Sequence, residues 1–151
     1  MKKSIVKFLA TGTYLGCAPL APGTFGTIWG VGITWVISGY SLYIQGAVIL
    51  AVILASIYVA GEYTRAISRH DHPSIVCDEI SGYLVAFFAL PFTLFNATLV
   101  FILFRIFDIL KPYPAGSLDK KVKGGLGVVA DDLAAGIYAG VSARLMIWLL
   151  G

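Results

Sequence analysis

The sequence predicts an all-α fold, a compact integral membrane helical domain with transmembrane helices and re-entrant or broken helices. Three observations carry that prediction. Hydrophobic residues make up 58% of the 151-residue chain and charged residues only 13%, against about 25% charged in an ordinary soluble domain. The mean hydropathy is +0.86. The apolar residues gather in long runs, without the period-2 alternation between turns that marks strands. No repeat, low-complexity tract or linker breaks the chain, so 1-151 reads as a single domain.

Taken in order, Met1–Gly16 carries Lys2, Lys3 and Lys7 and lacks the clean apolar core of a signal peptide. "APLAPGTFGT" follows, in which Pro19, Pro22, Gly23 and Gly26 form a structured loop leading into the first membrane helix. Thr24, Thr27 and the free N–H groups of that helix start offer an anion site, although, taken alone, the loop is read more simply as a membrane-interface turn. It is not the GxxxxGK[ST] nucleotide loop. Phe25–Ile44 is apolar and about the ~20 residues needed to cross a bilayer. Gly39, Tyr40 and Ser41 mark a break before Gly46–Ala60, and the two runs read as a helical hairpin. Glu62–Glu79 is polar, Ser81–Phe104 apolar with Pro91 near its middle, Arg105–Asp132 polar, and Leu133–Leu150 apolar.

Charge suggests how these runs are threaded. Lys and Arg near membrane ends favour the cytoplasm, which places the N-terminus, Glu62–Glu79 and Arg105–Lys123 on one side. Ser81–Phe104 must then enter the membrane and return. Its 24 residues are too few for two full spans, so Pro91 is expected to break them into a shallow hairpin buried against other helices. The rival is one straight span with Arg105–Asp132 outside. The net charge of +3, concentrated in Lys2, Lys3, Lys7, Lys111, Lys120, Lys121 and Lys123, suits an anionic membrane surface. No basic face with stacking aromatics points to nucleic acid. Cys17 and Cys77 form neither a disulfide framework nor a CxxC metal spacing. Trp29, Trp35, Trp148 and the tyrosines fit lipid contact or interface anchoring.

Six of the eight acidic residues fall in three short stretches beside apolar runs. Asp71, Asp78 and Glu79 lie in "HDHPSIVCDEISGYLVAF", Asp108 in "FRIFDILKPYP", and Asp131 and Asp132 in "VVADDLAAGIYAG". One acid per helix start is explained by capping and by the helix dipole. Two neighbouring acids at each of two starts exceed what one cap uses. Both pairs are followed by a glycine one turn on, Gly82 and Gly136, which would let the two helices approach closely. Four converging carboxylates would repel strongly unless a divalent, oxygen-preferring cation lay among them. Arg105, Asp108 and Lys111 step by three along a helix: either an interfacial helix end stopped by Pro112, or a phosphate site built on two donors. His70 and His72 flank Asp71 and are read as solvated, with a metal site as the alternative. Neither cysteine has an arginine six residues on, and no DxD or GxSxG motif occurs. Carboxylate-and-metal chemistry with basic anion binders remains.

Four of these motifs, "APLAPGTFGT", "CDEISGYLVAF", "FRIFDILKPYP" and "GVVADDLAAGIYA", resemble the phosphatidylglycerophosphatase A family in order and spacing, from about Gly12 to Gly140. The resemblance implies a bacterial, multi-pass cytoplasmic (inner) membrane enzyme with its active site facing the cytoplasm. Its phospholipid substrate would be phosphatidylglycerophosphate, hydrolysed with Mg²⁺ to phosphatidylglycerol and phosphate. It implies Glu79, Asp131 and Asp132 as metal ligands, with Asp78 as a further ligand or orienting group. Asp78, Arg105, Asp108 and Lys111 would be catalytic, and Thr24, Arg105 and Lys111 would bind substrate phosphate. Ser81 stands where a small apolar residue is expected, and "RHDHP" matches the family less clearly. The alternatives are a phosphatidyltransferase, whose D-G-x₂-A-R-type motif is missing, and a transporter. Against the transporter, the acids sit at the ends of apolar segments and not at their midpoints.

Overall fold

The computed structural model describes residues 3–68, 72–113, 115–116 and 122–150. Among them are six α-helices and no strand: α1 Lys3–Ala10, α2 Pro22–Ile37, α3 Leu42–Ile67, α4 Cys77–Phe87, α5 Leu94–Leu110 and α6 Gly125–Leu150. Arg69, His70, Asp71, Asp119, Lys120 and Lys121 lie outside the described residues.

Local chemistry sets the helix ends. Pro22 opens α2, where its missing N–H is no loss. The helix stops at Ile37, before the predicted end at Ile44, because Ser41 caps a new helix by accepting from the Ile44 N–H. α3 is correspondingly longer than the predicted Gly46–Ala60. Its last two turns carry Glu62 and Arg65, paired across one turn, which lets the helix continue into a polar environment. α6 begins at Gly125, not at Leu133. Asp131 and Asp132 therefore lie almost two turns inside the helix, and N-capping does not explain them.

The Ser81–Phe104 run is a hairpin. α4 ends at Phe87, Ala89 adopts φ +61°, and Thr93 caps α5 by accepting from the Asn96 N–H at 3.0 Å. Pro91 has no N–H to continue a helix, and its carbonyl is taken by Asn96 Nδ2 at 2.9 Å. α5 then returns antiparallel to α4: the Tyr83 hydroxyl donates to the Ala97 carbonyl at 3.1 Å, and its ring packs edge-on against Phe101 and Phe104. Eleven residues make α4 only ~16 Å long, about half of a ~30 Å hydrocarbon core. Its end would leave carbonyls without partners. Arg144 of α6 supplies them, donating to Ala86 and Phe88.

α6 runs parallel to α4 and close against it. A Cβ on Gly136 would overlap the Gly82 carbonyl oxygen, and one on Gly82 would stand 2.6 Å from the Asp132 carbonyl. α3 runs antiparallel on another side of α4, where Ser81 Oγ donates to Ser56 Oγ and Ser56 Oγ donates to the Cys77 carbonyl, both at 2.9 Å. Ser81, where the resemblance implies a small apolar residue, is thus buried in an inter-helix hydrogen-bond network. α1 was not foreseen. It packs Val6 and Ala10 against Val59, Ala60 and Tyr63 of α3, while Ile5, Phe8, Leu9, Lys3 and Lys7 stay exposed. Such a helix suits the plane of a membrane interface.

α3 and α6 are each long and apolar enough to cross a membrane, and only 22% and 28% of their apolar windows are buried. A core helix of a soluble protein would hide most of that surface. These packing directions bring the start of α2, the end of α3, the start of α4, the end of α5 and the first turns of α6 to one end of the bundle. Among the described residues, every Asp, Glu, Lys and Arg except Arg144 lies there.

Candidate active site

At that end a cavity of about 310 Å³ is lined by Ala21, Pro22, Gly23, His72, Pro73, Ile75, Asp78, Glu79, Arg105, Asp108, Lys111, Asp131 and Asp132. Each element contributes for a local reason. Asp78 and Glu79 occupy the first turn of α4, where the dipole favours negative charge, and Asp78 Oδ1 accepts the Glu79 N–H at 3.1 Å. The parallel packing at Gly82 and Gly136 brings Asp132 of α6 beside them. Carboxylate oxygens of Asp78, Glu79 and Asp132 lie within 4.8 Å of one another.

Asp131 turns elsewhere. Consecutive helical residues point ~100° apart at 3.6 residues per turn, so Asp131 and Asp132 leave the helix in different directions. Asp131 Oδ2 accepts from Lys111 Nζ at 2.5 Å. Lys111 ends α5 in the left-handed region at φ +42°, which swings its side chain towards α6. Arg105, two turns earlier on α5, pairs with Asp108 at 2.7 Å and lies 3.9 Å from Glu79 Oε1. The i,i+3 pair expected at an interfacial helix end is present, but it borders the cavity.

Pro22 and Gly23, not Thr24, are the α2 residues in the cavity wall. A Cβ at Gly23 would overlap Glu79 Oε1 and stand 2.8 Å from Arg105 Nη1, so only glycine leaves room for both. Thr24 is half-buried and its backbone N–H bonds to Ala21. Pro73 and Ile75 line the cavity without any sequence signal. His72 lines it too, and its partner is Ser74.

Burial pushes the Glu79 carboxyl up to about 8, with the charges of Asp132 and Asp108 adding to the effect and Asp78 and Arg105 opposing it. Glu79 Oε2 is buried and accepts no hydrogen bond from the described residues. A buried carboxylate oxygen without a donor, beside two more carboxylates, is relieved by a proton, as the raised value shows, or by a cation with oxygen preference that displaces it. The donor set is all oxygen, which fits a hard divalent ion and does not fit a soft one. Next to it stand a guanidinium and an ammonium that offer donors only. The cavity thus pairs a place for a cation with a place for an anion.

The phosphatidylglycerophosphatase A family model matches residues 8–147. A phosphatidylglycerophosphatase A of Haemophilus influenzae strain Rd is 34% identical over 152 residues, covering 96% of this chain and 91% of the relative. That of Escherichia coli strain K12 is 30% identical, covering 93% and 81%. A Bacteroides thetaiotaomicron protein that carries the provisional name of a phosphatidylinositol-3-phosphatase is 30% identical, covering 95% and 94%. No solved structure matches the chain.

Proposed function

The chain belongs to the phosphatidylglycerophosphatase A family, and from that premise we propose how its cavity hydrolyses the terminal phosphate of phosphatidylglycerophosphate. The products are phosphatidylglycerol and inorganic phosphate: water oxygen bonds to phosphorus and the bond to the glycerol oxygen breaks. The observation that carries the mechanism is the convergence of Asp78, Glu79 and Asp132 beside Arg105 and Lys111.

Asp78, Glu79 and Asp132 would hold Mg²⁺, a hard cation that binds through few carboxylates and keeps several waters. When bound, such an ion supplies Lewis acidity toward a phosphoryl oxygen and acidifies coordinated water. The remaining roles belong to side chains of this chain. Arg105, oriented by Asp108, donates to the non-bridging oxygens of the monoester and stabilises their charge as the ester bond breaks. Lys111, anchored by Asp131, approaches the same phosphate from the other wall. Asp131 is then the partner that positions Lys111. Gly23 keeps the α2 start close without crowding Glu79 and Arg105. Asp108, already engaged with Arg105, also stands where it can accept a proton from attacking water.

The site lies at the end of the bundle that gathers the basic residues, which by the positive-inside rule supports a cytoplasmic-face site in a bacterial inner membrane. There the acyl chains stay in lipid while the head group reaches the cavity. A transporter would need polar groups along the path. Beyond Asp132, the α6 charge among the described residues is Arg144 alone, and it is engaged by the end of α4.

The test is phosphate release from phosphatidylglycerophosphate by the purified protein in detergent. Release that depends on Mg²⁺ and stops in Asp132→Asn is expected. Undiminished release after chelation would remove the metal from the mechanism.

A further inference from the structure

Beside the acidic cavity lies a second one of about 400 Å³, walled by Lys7 of α1, Cys17, Tyr63 of α3, His72 and Ser74. The two cavities share Pro22, His72 and Pro73 as a common wall. Their charge differs. None of the described residues lining the second cavity is acidic, and Lys7 gives it a positive charge. The tautomer of His72 follows from its partners. The Ser74 backbone N–H, which can only donate, bonds to His72 Nδ1 at 3.2 Å, and Ser74 Oγ lies 2.8 Å from the same nitrogen. Nδ1 is therefore the acceptor, and the ring proton sits on Nε2 as a donor. Tyr63 braces this arrangement with its hydroxyl 3.4 Å from Ser74 Oγ.

The substrate named above carries two phosphates of different chemistry: a terminal monoester, and a diester that joins the glycerol head to the diacylglycerol. We propose that the second cavity is the subsite for the diester phosphate, held by Lys7 and the Nε2–H of His72 while the monoester occupies the acidic cavity. This rests on the lipid-phosphatase reading and extends it. Lys7 sits on the helix whose apolar residues Ile5, Phe8 and Leu9 are exposed, so a phosphate bound there lies at the depth of lipid head groups. A diester has one negative charge and needs donors without a metal, which is what this cavity offers. The subsite would also distinguish this substrate from lipids whose only phosphate is a monoester.

The experiment compares wild type, Lys7→Gln and Lys7→Arg on phosphatidylglycerophosphate in neutral detergent, with inorganic phosphate as a competitive probe of the acidic cavity. Lys7→Gln is expected to raise KM about tenfold, the scale of one charge-assisted hydrogen bond at a partly exposed site. Its kcat should stay within about twofold, its inhibition constant for phosphate should not change, and Lys7→Arg should recover most of the KM. An unchanged KM, or an inhibition constant that rises in parallel with KM, overturns the subsite. So does a KM effect seen only in vesicles containing phosphatidylglycerol, because Lys7 would then be meeting bulk anionic lipid. No phosphate release from wild type would overturn the underlying activity together with the subsite, and is thereby told apart from a failure of the subsite alone.

Discussion

Replacing Asp131 by Asn should separate the two aspartates of the DD pair by function. Asp131 is 6% exposed and its Lys111 partner 31%, with Oδ2 and Nζ 2.5 Å apart. A charge-assisted hydrogen bond contributes about 1.5–3 kcal/mol, and the partial exposure of Lys111 places this pair towards the lower end. If the bond positions Lys111 on the transferring phosphate, its loss lowers kcat about tenfold to a hundredfold at 1.4 kcal/mol per decade. The Mg²⁺ concentration for half-maximal activity should move by less than about threefold, because Asp131 lies outside the triad of Asp78, Glu79 and Asp132. Asp132→Asn should instead raise that concentration at least about tenfold, or abolish activity. The assay is phosphate release titrated with Mg²⁺ for both variants. Equal shifts in Mg²⁺ requirement would refute the assignment and make Asp131 a ligand.

Two further outcomes follow from packing and from charge. Gly136→Ala places a methyl group onto the Gly82 carbonyl. Separating α4 from α6 should cost about 1–3 kcal/mol of stability and more than tenfold in activity, since Asp132 moves away from Glu79; unchanged Tm and rate would contradict the close parallel contact. Without metal, the Glu79 carboxyl rises from 4.5 to about 8 on folding. The folded chain then holds more protons than the unfolded one across that window, so metal-free stability falls as pH rises through it. Mg²⁺ competes with the same proton, so its binding tightens with pH towards 8 and its stabilising effect grows in parallel. Thermal unfolding in detergent with chelator or Mg²⁺ checks this, and a metal-free Tm that climbs from pH 5 to 8 would oppose it.

Much of the fold was legible because a chain with 58% hydrophobic and 13% charged residues has few options. Runs of apolar residues read as helices, and Pro91 together with lysines at several loops favoured a returning hairpin over the rival straight span. The glycines one turn after each acidic pair announced a close approach, and Gly82 meets Gly136. Helix ends were harder to read. Whether a helix stops at an apolar boundary depends on caps and ion pairs such as Ser41 and Glu62–Arg65, which hydropathy does not register. α1 escaped notice because it is only eight residues long, with Val6 and Ala10 one turn apart as its buried side, and lacks the long apolar run that marks the other helices. Within the site, convergence of acids was legible but the choice of partner was not. Asp131 and Asp132 look equivalent as letters; helical rotation and the positive φ of Lys111, 20 residues away, send one to an ammonium and the other to the carboxylates. The second turn to glycine is similar: Thr24 offers the chemistry, whereas Gly23 offers the space.

The most direct test of the account is Mn²⁺ binding, used in place of Mg²⁺ and followed by electron paramagnetic resonance on the detergent-solubilised protein. Saturable binding that is lost in Asp78→Asn, Glu79→Gln and Asp132→Asn, and kept in Asp131→Asn, is the predicted result. Binding that survives all three triad substitutions would contradict it.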